Sequence, residues 1–263
     1  MSLSGVLDLR QLHFVTPGGV VLLFYGILQA INHRVSAVLR LGKGQVRQYL
    51  ARIGFFRALP STVTIEPALS EEERFSETAY LGDCPTLLEF NEFSTFDEVR
   101  AIVDKVRRTA VDELDYSMKE AKKIAILFSE IAHNAVEHGG EVQAVALMQV
   151  YRNASKPRLE FVIGDNGMGI QRSLSTNPLY HHLDSDKAAI AESVLVEVSR
   201  TKDKTAGNGL AHVMREIKHQ GGMVDIRSGA GKLHHRGNAK HSHTLDVPNV
   251  SGTQVILSLA TAA

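Results

Sequence analysis

The sequence has little that would direct the protein to a membrane, to the cell exterior or to duplex nucleic acid. Its 263 residues include one cysteine, Cys84, so no internal disulfide can form, and we expect a buried thiol in a reducing cytosol. The most apolar run, Val20 to Leu28, is interrupted by Gly26 and is far shorter than the about 20 residues of a membrane span. The first residues lack the basic and apolar regions of a secretory signal. We therefore expect a soluble, cytoplasmic protein with no membrane partner.

The chain also lacks an excess of either charge. Lys and Arg together number 29, Asp and Glu together number 29, and the pI is about 7.2. A broad basic face is therefore not expected, and the sequence carries no strong signal for nucleic acid. The composition, 44% hydrophobic and 22% charged, is that of a globular protein, and the length favours two modest domains.

The order of patterns along the chain predicts an α/β protein. Residues 1–65 alternate strand-like and helix-like runs, which favours a small α/β domain. Residues 66–96 contain an acidic cluster and scattered polar residues, so we predict a linker or edge segment there. Residues 97–263 alternate long helices with strands and end in successive strands, which predicts a two-layer α/β sandwich with a mixed sheet.

Individual elements of the second domain follow from periodicity and capping signals. Ser117 and Glu120 form a capping-box pattern before a long apolar helix. The other predicted helices are 96–114, 188–198 and 210–219, and the predicted strands are 142–150, 159–163, 223–227 and 254–259.

The helix after Ser117 carries a polar stripe. Glu130, Asn134 and His138 are four residues apart, and such positions advance only about 40° per step around a helix, so the three side chains share one side. A solvent-facing stripe and one wall of a ligand site both fit this spacing. His138 also ends the helix, where an imidazolium suits the helix dipole.

Two glycine-rich stretches downstream favour a ligand site. In FVIGDNGMGI a strand runs into Asp165, and Gly167 and Gly169 would let backbone approach a ligand; a simple turn is the alternative. In AGNGLAHVM, Gly207 and Gly209 open a predicted helix whose free N–H groups suit a phosphate; a capping turn is the alternative. Neither a Walker loop nor a complete dinucleotide fingerprint occurs.

Taken in order, these pieces resemble the ATP-binding fold shared by DNA gyrase B, Hsp90, sensor histidine kinases and MutL, the GHKL superfamily. The family's N-box E-x-x-x-N is matched by Glu130 and Asn134, and its D-x-G-x-G box by Asp165, Gly167 and Gly169. The G-x-G-L box and the final Gly-Thr are matched in the same order by Gly207, Gly209, Leu210, Gly252 and Thr253.

The resemblance implies a role for each matched residue. Asp165 would accept a hydrogen bond from the adenine amino group and would reject the guanine carbonyl, with support from Thr253. Asn134 would be the protein ligand of a Mg²⁺ that bridges the phosphates of ATP. The backbone N–H groups at Gly207 and Gly209 would bind those phosphates.

Glu130 is the catalytic candidate, because the matching Glu activates the attacking water in the family's hydrolases and can help the acceptor in its kinases. Many sensor kinases have a Lys or Arg three positions after the Asn, where this chain has Glu137. Lys202 and Lys204 are therefore the candidates for meeting phosphate charge. Residues 171–206 look like the mobile lid over the nucleotide.

Within the superfamily, the run from Leu114 to Gly140 is most similar to bacterial anti-sigma factor serine kinases. The N-terminus, LDLRQLHFVTPGGVVLL, resembles the start of a STAS domain more weakly. That family's phosphorylated serine has no counterpart in the turn from Thr16 to Gly19, so we expect a docking or regulatory domain.

The sequence thus predicts a regulatory protein that binds ATP and Mg²⁺ and acts on a protein partner, such as a STAS-type or sigma-like factor. A slow ATPase or Ser/Thr kinase is the favoured activity, and a non-catalytic, nucleotide-gated binding module is the alternative. A homodimer also remains open. The histidine-rich stretch KLHHRGNAKHSH could hold Zn²⁺, but its lack of cysteine favours a solvated loop.

Overall fold

The first part of the protein is built on a three-stranded parallel sheet. The computed structural model describes residues 4–75, 86–139, 143–151, 158–195, 209–237 and 239–260. The elements of the first part are β1 (Ser4–Asp8), α1 (Pro17–Asn32), β2 (Ser36–Arg40), α2 (Gln45–Arg52), α3 (Phe55–Ala58), β3 (Thr64–Glu66) and α4 (Glu71–Phe75). The strand order is β1-β2-β3, and both pairs are parallel. The predicted strand, helix, strand, helix order is confirmed.

The second part is built on a five-stranded antiparallel sheet of order β4-β5-β6-β8-β7. Its elements are β4 (Thr86–Phe93), α5 (Phe96–Leu114), α6 (Met118–His138), β5 (Ala144–Tyr151), β6 (Arg158–Gly164), α7 (Ile170–Leu174), a 3₁₀ turn (Pro178–Tyr180), α8 (Asp186–Ser193), α9 (Gly209–Gln220), β7 (Met223–Arg236) and β8 (His243–Ala260). The protein is therefore of the mixed α/β class.

Side-chain caps explain where the long helices begin. The hydroxyl of Ser117 accepts from the N–H of Glu120, and the Glu120 carboxylate accepts from the N–H of Ser117, so the predicted capping box is confirmed. Thr95 and Glu98 form a second capping box before α5. At α1, Thr16 caps the helix and Pro17 occupies the first turn, where its missing N–H costs nothing.

The antiparallel sheet is buried on both faces. Alternate residues of β6, Leu159, Phe161 and Ile163, pack with α5, α6 and α9 in one core. Val162, on the opposite face, packs in a second core that contains α1 and the parallel sheet. This two-sided burial explains why the central strands read as nearly continuous apolar runs.

Two sequence expectations are wrong. The sheet expected to be mixed in residues 97–263 is instead antiparallel at every described pair, because β5 with β6 and β7 with β8 are consecutive neighbours and β8 pairs antiparallel with β6. The histidine-rich stretch is not a loop throughout: Lys232 to Arg236 belong to β7, and His243 begins β8. His235 faces inward there, with its side chain 1% exposed, so the polar composition concealed a strand.

The segment 66–96, predicted as linker or edge, contains β4, which lies at one edge of the antiparallel sheet. The boundaries proposed for the two domains remain a prediction. Among the described residues, no helix is long and apolar enough to cross a membrane.

Candidate functional site

Asp165 lies directly after β6 and is held by the neighbouring strand. Its N–H donates to the Thr253 carbonyl at 2.8 Å, which extends the β6–β8 ladder by one residue. Its Oδ1 accepts from the N–H of Gly167 at 2.8 Å and from the N–H of Thr253 at 3.2 Å. Within the described ranges no donor reaches Oδ2. The structure therefore brings Asp165, Gly167 and Thr253 together and leaves one carboxylate oxygen able to accept a hydrogen bond.

The Asp165 carboxylate lies in a low-dielectric environment, because the residue is only 6% exposed. Burial raises its pKa from 3.8 to about 6, while the hydrogen bonds from Gly167 and Thr253 act in the opposite direction. A buried carboxylate with a free acceptor oxygen and a raised pKa is typical of a functional site rather than of a structural turn.

Glycines allow the backbone segments around Asp165 to touch. A Cβ on Gly252 would overlap the Asp165 carbonyl oxygen, and φ at Gly252 is +84°, a conformation that disfavours other residues. A Cβ on Gly167 would overlap the His138 carbonyl at the end of α6. Gly169, the second glycine predicted from the sequence, has φ +78°. A Cβ added to Gly169 would lie 3.0 Å from the Ser228 hydroxyl oxygen.

Ser228 is a site residue that sequence reasoning missed. Its hydroxyl accepts from the N–H of Ile170 at 2.8 Å and lies 3.2 Å from the Gly252 carbonyl and 3.3 Å from the Thr253 hydroxyl. It therefore links the segment after Asp165 to the Gly-Thr pair. Its only sequence signal is a small polar residue at an inward-facing position of β7, which many strands contain.

The polar stripe of α6 faces the start of α9. An ideal Cβ on Gly209 would lie 3.0 Å from Oε2 of Glu130 and 3.4 Å from Nδ2 of Asn134. Gly209 is the first described residue of α9, and the first N–H groups of a helix have no partner within it. The structure thus brings the acid and the amide of the N-box pattern to a helix N-terminus, where negative charge is stabilised.

One helix joins the two ends of this candidate site. Gly139, which follows α6, lies with its ideal Cβ 3.5 Å from the Cβ of Asp165, while Asn134 and Glu130 lie five and nine residues earlier in the chain, on α6. At about 1.5 Å per residue of helix, these separations correspond to about 7 to 14 Å. The Asp165 end and the Gly209 end are therefore separated along α6 by the length of an extended small molecule rather than of a single ion.

Of the remaining predicted site residues, the structure describes some and not others. Leu210 packs against the main core, as a helix residue following Gly209 should. Lys202, Lys204 and Gly207 lie outside the described residues. The first part of the predicted lid consists of α7, the 3₁₀ turn and α8. There the Asp186 carboxylate accepts from the N–H of Ala230 at 2.8 Å.

The described residues contain no group of three or more His, Cys, Asp and Glu side chains that could hold a metal ion. His234 instead bonds Asp225 through Nδ1 at 2.6 Å. A Mg²⁺ held by Asn134 would need oxygen ligands from phosphate and water.

Neither protein-family models nor curated protein sequences give a match to this chain.

Proposed function

We propose that the protein binds ATP with Mg²⁺ between the end of β6, the polar stripe of α6 and the start of α9. The observation that carries this proposal is the buried Asp165 carboxylate, whose Oδ1 is occupied by two backbone N–H groups and whose Oδ2 has no donor in the described structure. An exocyclic amino group such as that of adenine would supply the missing donor. A guanine carbonyl would meet the same oxygen as a second acceptor.

The other end of the site supports a phosphate assignment. Asn134 and Glu130 lie beside Gly209, where the N-terminus of α9 favours anions. The Asn134 amide oxygen is a hard ligand suited to Mg²⁺, which would neutralise the phosphate charge next to Glu130. Gly207 and Lys204 complete this end in the proposal.

On the same grounds we propose the finer fold assignments. The antiparallel sheet with α5, α6 and α9 on one face would be the ATP-binding fold of the GHKL superfamily, and β1-α1-β2 with its neighbours would be a STAS-like domain. The protein would act on a protein partner in the cytoplasm, in the manner of an anti-sigma factor serine kinase. Glu130 beside the phosphate end favours ATP hydrolysis or transfer to a serine or threonine over binding alone.

Calorimetry with ATP tests the nucleotide site. Wild type should bind ATP more tightly with Mg²⁺ than without it. Asp165→Asn should weaken binding about 10- to 100-fold, since a charge-assisted hydrogen bond is lost. Glu160→Gln is the matched control, because Glu160 is also a buried carboxylate of β6, 4% exposed, and belongs to no part of the proposed site. Tight ATP binding by Asp165→Asn would contradict the assignment.

Turnover separates the enzyme from the binding module. We expect wild type to release ADP slowly, and Glu130→Gln to keep ATP affinity while ADP release falls at least about 100-fold, in the range expected for a general base. Wild type that binds ATP but forms no ADP, with or without candidate protein substrates, would leave the nucleotide-gated binding module as the function.

A further inference from the structure

Helix α1 packs on the antiparallel sheet directly behind the candidate site. Asp165 and Thr253 face the layer that contains α6, whereas the residues next to them, Gly164 and Gln254, face α1. The ideal Cβ of Gly164 would lie 2.8 Å from the Tyr25 ring and from the Val21 side chain, so the absence of a side chain lets α1 approach the strand closely.

Two hydrogen bonds connect α1 to the peptides that hold the carboxylate. The Tyr25 hydroxyl donates to the Gly164 carbonyl at 2.7 Å, and that carbonyl belongs to the peptide unit whose nitrogen is the Asp165 N–H. On the neighbouring strand, Gln254 immediately follows Thr253. The side-chain amide of Gln254 donates to the Gly18 carbonyl of α1 at 2.6 Å. Tyr25 and Gln254 are 2% and 8% exposed, so neither bond competes with bulk water.

Both contacts act on backbone that orients Asp165. The Asp165 N–H donates to the Thr253 carbonyl, and the Thr253 N–H donates to Oδ1 of Asp165. A rotation of the Gly164–Asp165 peptide would therefore move Oδ2, the oxygen assigned to the adenine amino group. A third contact from α1, in which Gln29 accepts from the N–H of Ser251 at 3.1 Å, steadies the chain just before Gly252.

We infer that Tyr25 and Gln254 are positioning residues for the nucleotide site, and that through them α1 couples the parallel-sheet part of the protein to nucleotide affinity. The inference rests on the proposed function. A displacement of α1, for example by a partner that binds the parallel sheet, would be transmitted to Asp165 through the Tyr25 hydroxyl and the Gln254 side-chain amide.

The test separates positioning from ordinary support of the fold. Tyr25→Phe removes the hydroxyl and keeps the ring that packs on Phe24. Tyr49→Phe is the matched control, because the Tyr49 hydroxyl donates at 2.8 Å to Gln149 of β5 and so also joins a helix of the first part to the sheet, but away from the site. Each variant is compared with wild type by thermal unfolding without ligand and by calorimetry with two ligands.

The two ligands are ATP and purine riboside triphosphate, which lacks the amino group assigned to Asp165. Their affinity ratio measures that contact alone. We expect Tyr25→Phe to lower the ratio about 5- to 10-fold, the scale of one hydrogen bond, and Tyr49→Phe to leave it unchanged. Gln254→Met, which removes the donor to Gly18 at similar volume, should also lower the ratio and serves if Tyr25→Phe does not fold.

The possible failures are distinct. Wild type that binds no ATP would overturn the proposed function and this inference together. Wild type that prefers ATP over purine riboside triphosphate, with the same ratio in Tyr25→Phe and Gln254→Met, would overturn the inference alone.

Discussion

The two ends of the candidate site are built differently. Asp165 is 6% exposed, makes two backbone hydrogen bonds through one oxygen, and is enclosed by Gly167 and Gly252 at distances that admit no side chain. Glu130 and Asn134 are half-buried, and within the described ranges neither side chain makes a hydrogen bond. One end is part of the packed core, and the other is a polar wall facing a helix N-terminus.

This difference separates stability from function in the site. At the Asp165 end, any change of shape or charge alters both the fold and the surface offered to a ligand. At the Glu130 end, the side chains are only half-buried, so we expect a substitution to alter binding or catalysis with less effect on folding. Polar side chains that make no hydrogen bond within the described part of the chain are expected where a ligand completes the hydrogen bonding.

The largest expected effect is at Gly252. Gly252→Ala places a Cβ against the Asp165 carbonyl on a backbone with φ +84°, so the free energy of unfolding should fall by at least about 3 kcal/mol. Gly26→Ala is the control, since a Cβ at that position in α1 would have no described atom within 4 Å apart from its chain neighbours and the backbone of its own helix. Urea denaturation measures both; equal stabilities for the two variants would contradict the close packing of this end.

The next effect is the pH dependence of stability caused by Asp165. Because the pKa of Asp165 is raised from 3.8 to about 6, ionisation of this carboxyl opposes folding. The contribution of protonated Asp165 to the free energy of unfolding is therefore fully present below about pH 3.8 and is lost as the pH rises through about 6. Asp165→Asn lacks this dependence. The free energy of unfolding of Asp165→Asn minus that of wild type should therefore rise by up to about 3 kcal/mol from about pH 4 to about pH 8.

The measurement is denaturation of both proteins across that pH range without nucleotide. The other titrating groups are common to both chains, so they cancel in the difference. If the difference in free energy of unfolding between the two proteins does not change with pH, the Asp165 carboxylate is well solvated in solution. The Asp165 end would then not be more buried than the Glu130 end.

Ser228→Ala should have an intermediate effect. The variant leaves the partly buried Ile170 N–H without its acceptor, which costs about 1–2 kcal/mol of stability. Ser193→Ala is the comparison: Ser193 is also buried, but its hydroxyl bonds a carbonyl of its own helix, so the loss should be smaller. Thermal unfolding distinguishes them, and a reversed order would exclude Ser228 as the link between β7 and the Asp165 segment.

The smallest stability effect is expected at the polar wall. Asn134→Ala should change the free energy of unfolding by no more than about 0.5 kcal/mol, yet abolish the Mg²⁺-dependent part of ATP affinity. Lys122→Gln, at an exposed position of the same helix that belongs to no part of the proposed site, should alter neither quantity. Urea denaturation measures the free energy of unfolding, and calorimetry with and without Mg²⁺ measures the ATP affinity. A large loss of stability in Asn134→Ala would show that this end belongs to the core.

Local signals in the sequence predicted much of the fold. The helix over 96–114 has the observed bounds, and the capping box of Ser117 is present, because helix ends depend on side chains within one turn. The extent of β7 and β8 was underestimated because strand length depends on the partner strand. His235, at an inward position of β7, is 1% exposed and its Nδ1 bonds the Ser242 hydroxyl across the hairpin, which no local pattern reveals.

The order and spacing of Glu130, Asn134, Asp165 and the glycines were visible in the sequence, and they suffice to suggest one site. Only the tertiary structure decided that Oδ1 of Asp165 is occupied by backbone N–H groups and that no donor from the described residues reaches Oδ2. Only the tertiary structure placed Tyr25 behind that carboxylate, more than a hundred positions away in sequence. The reason is physical: motifs depend on residues close in the chain, whereas burial and hydrogen bonding in a folded core depend on which distant segments meet.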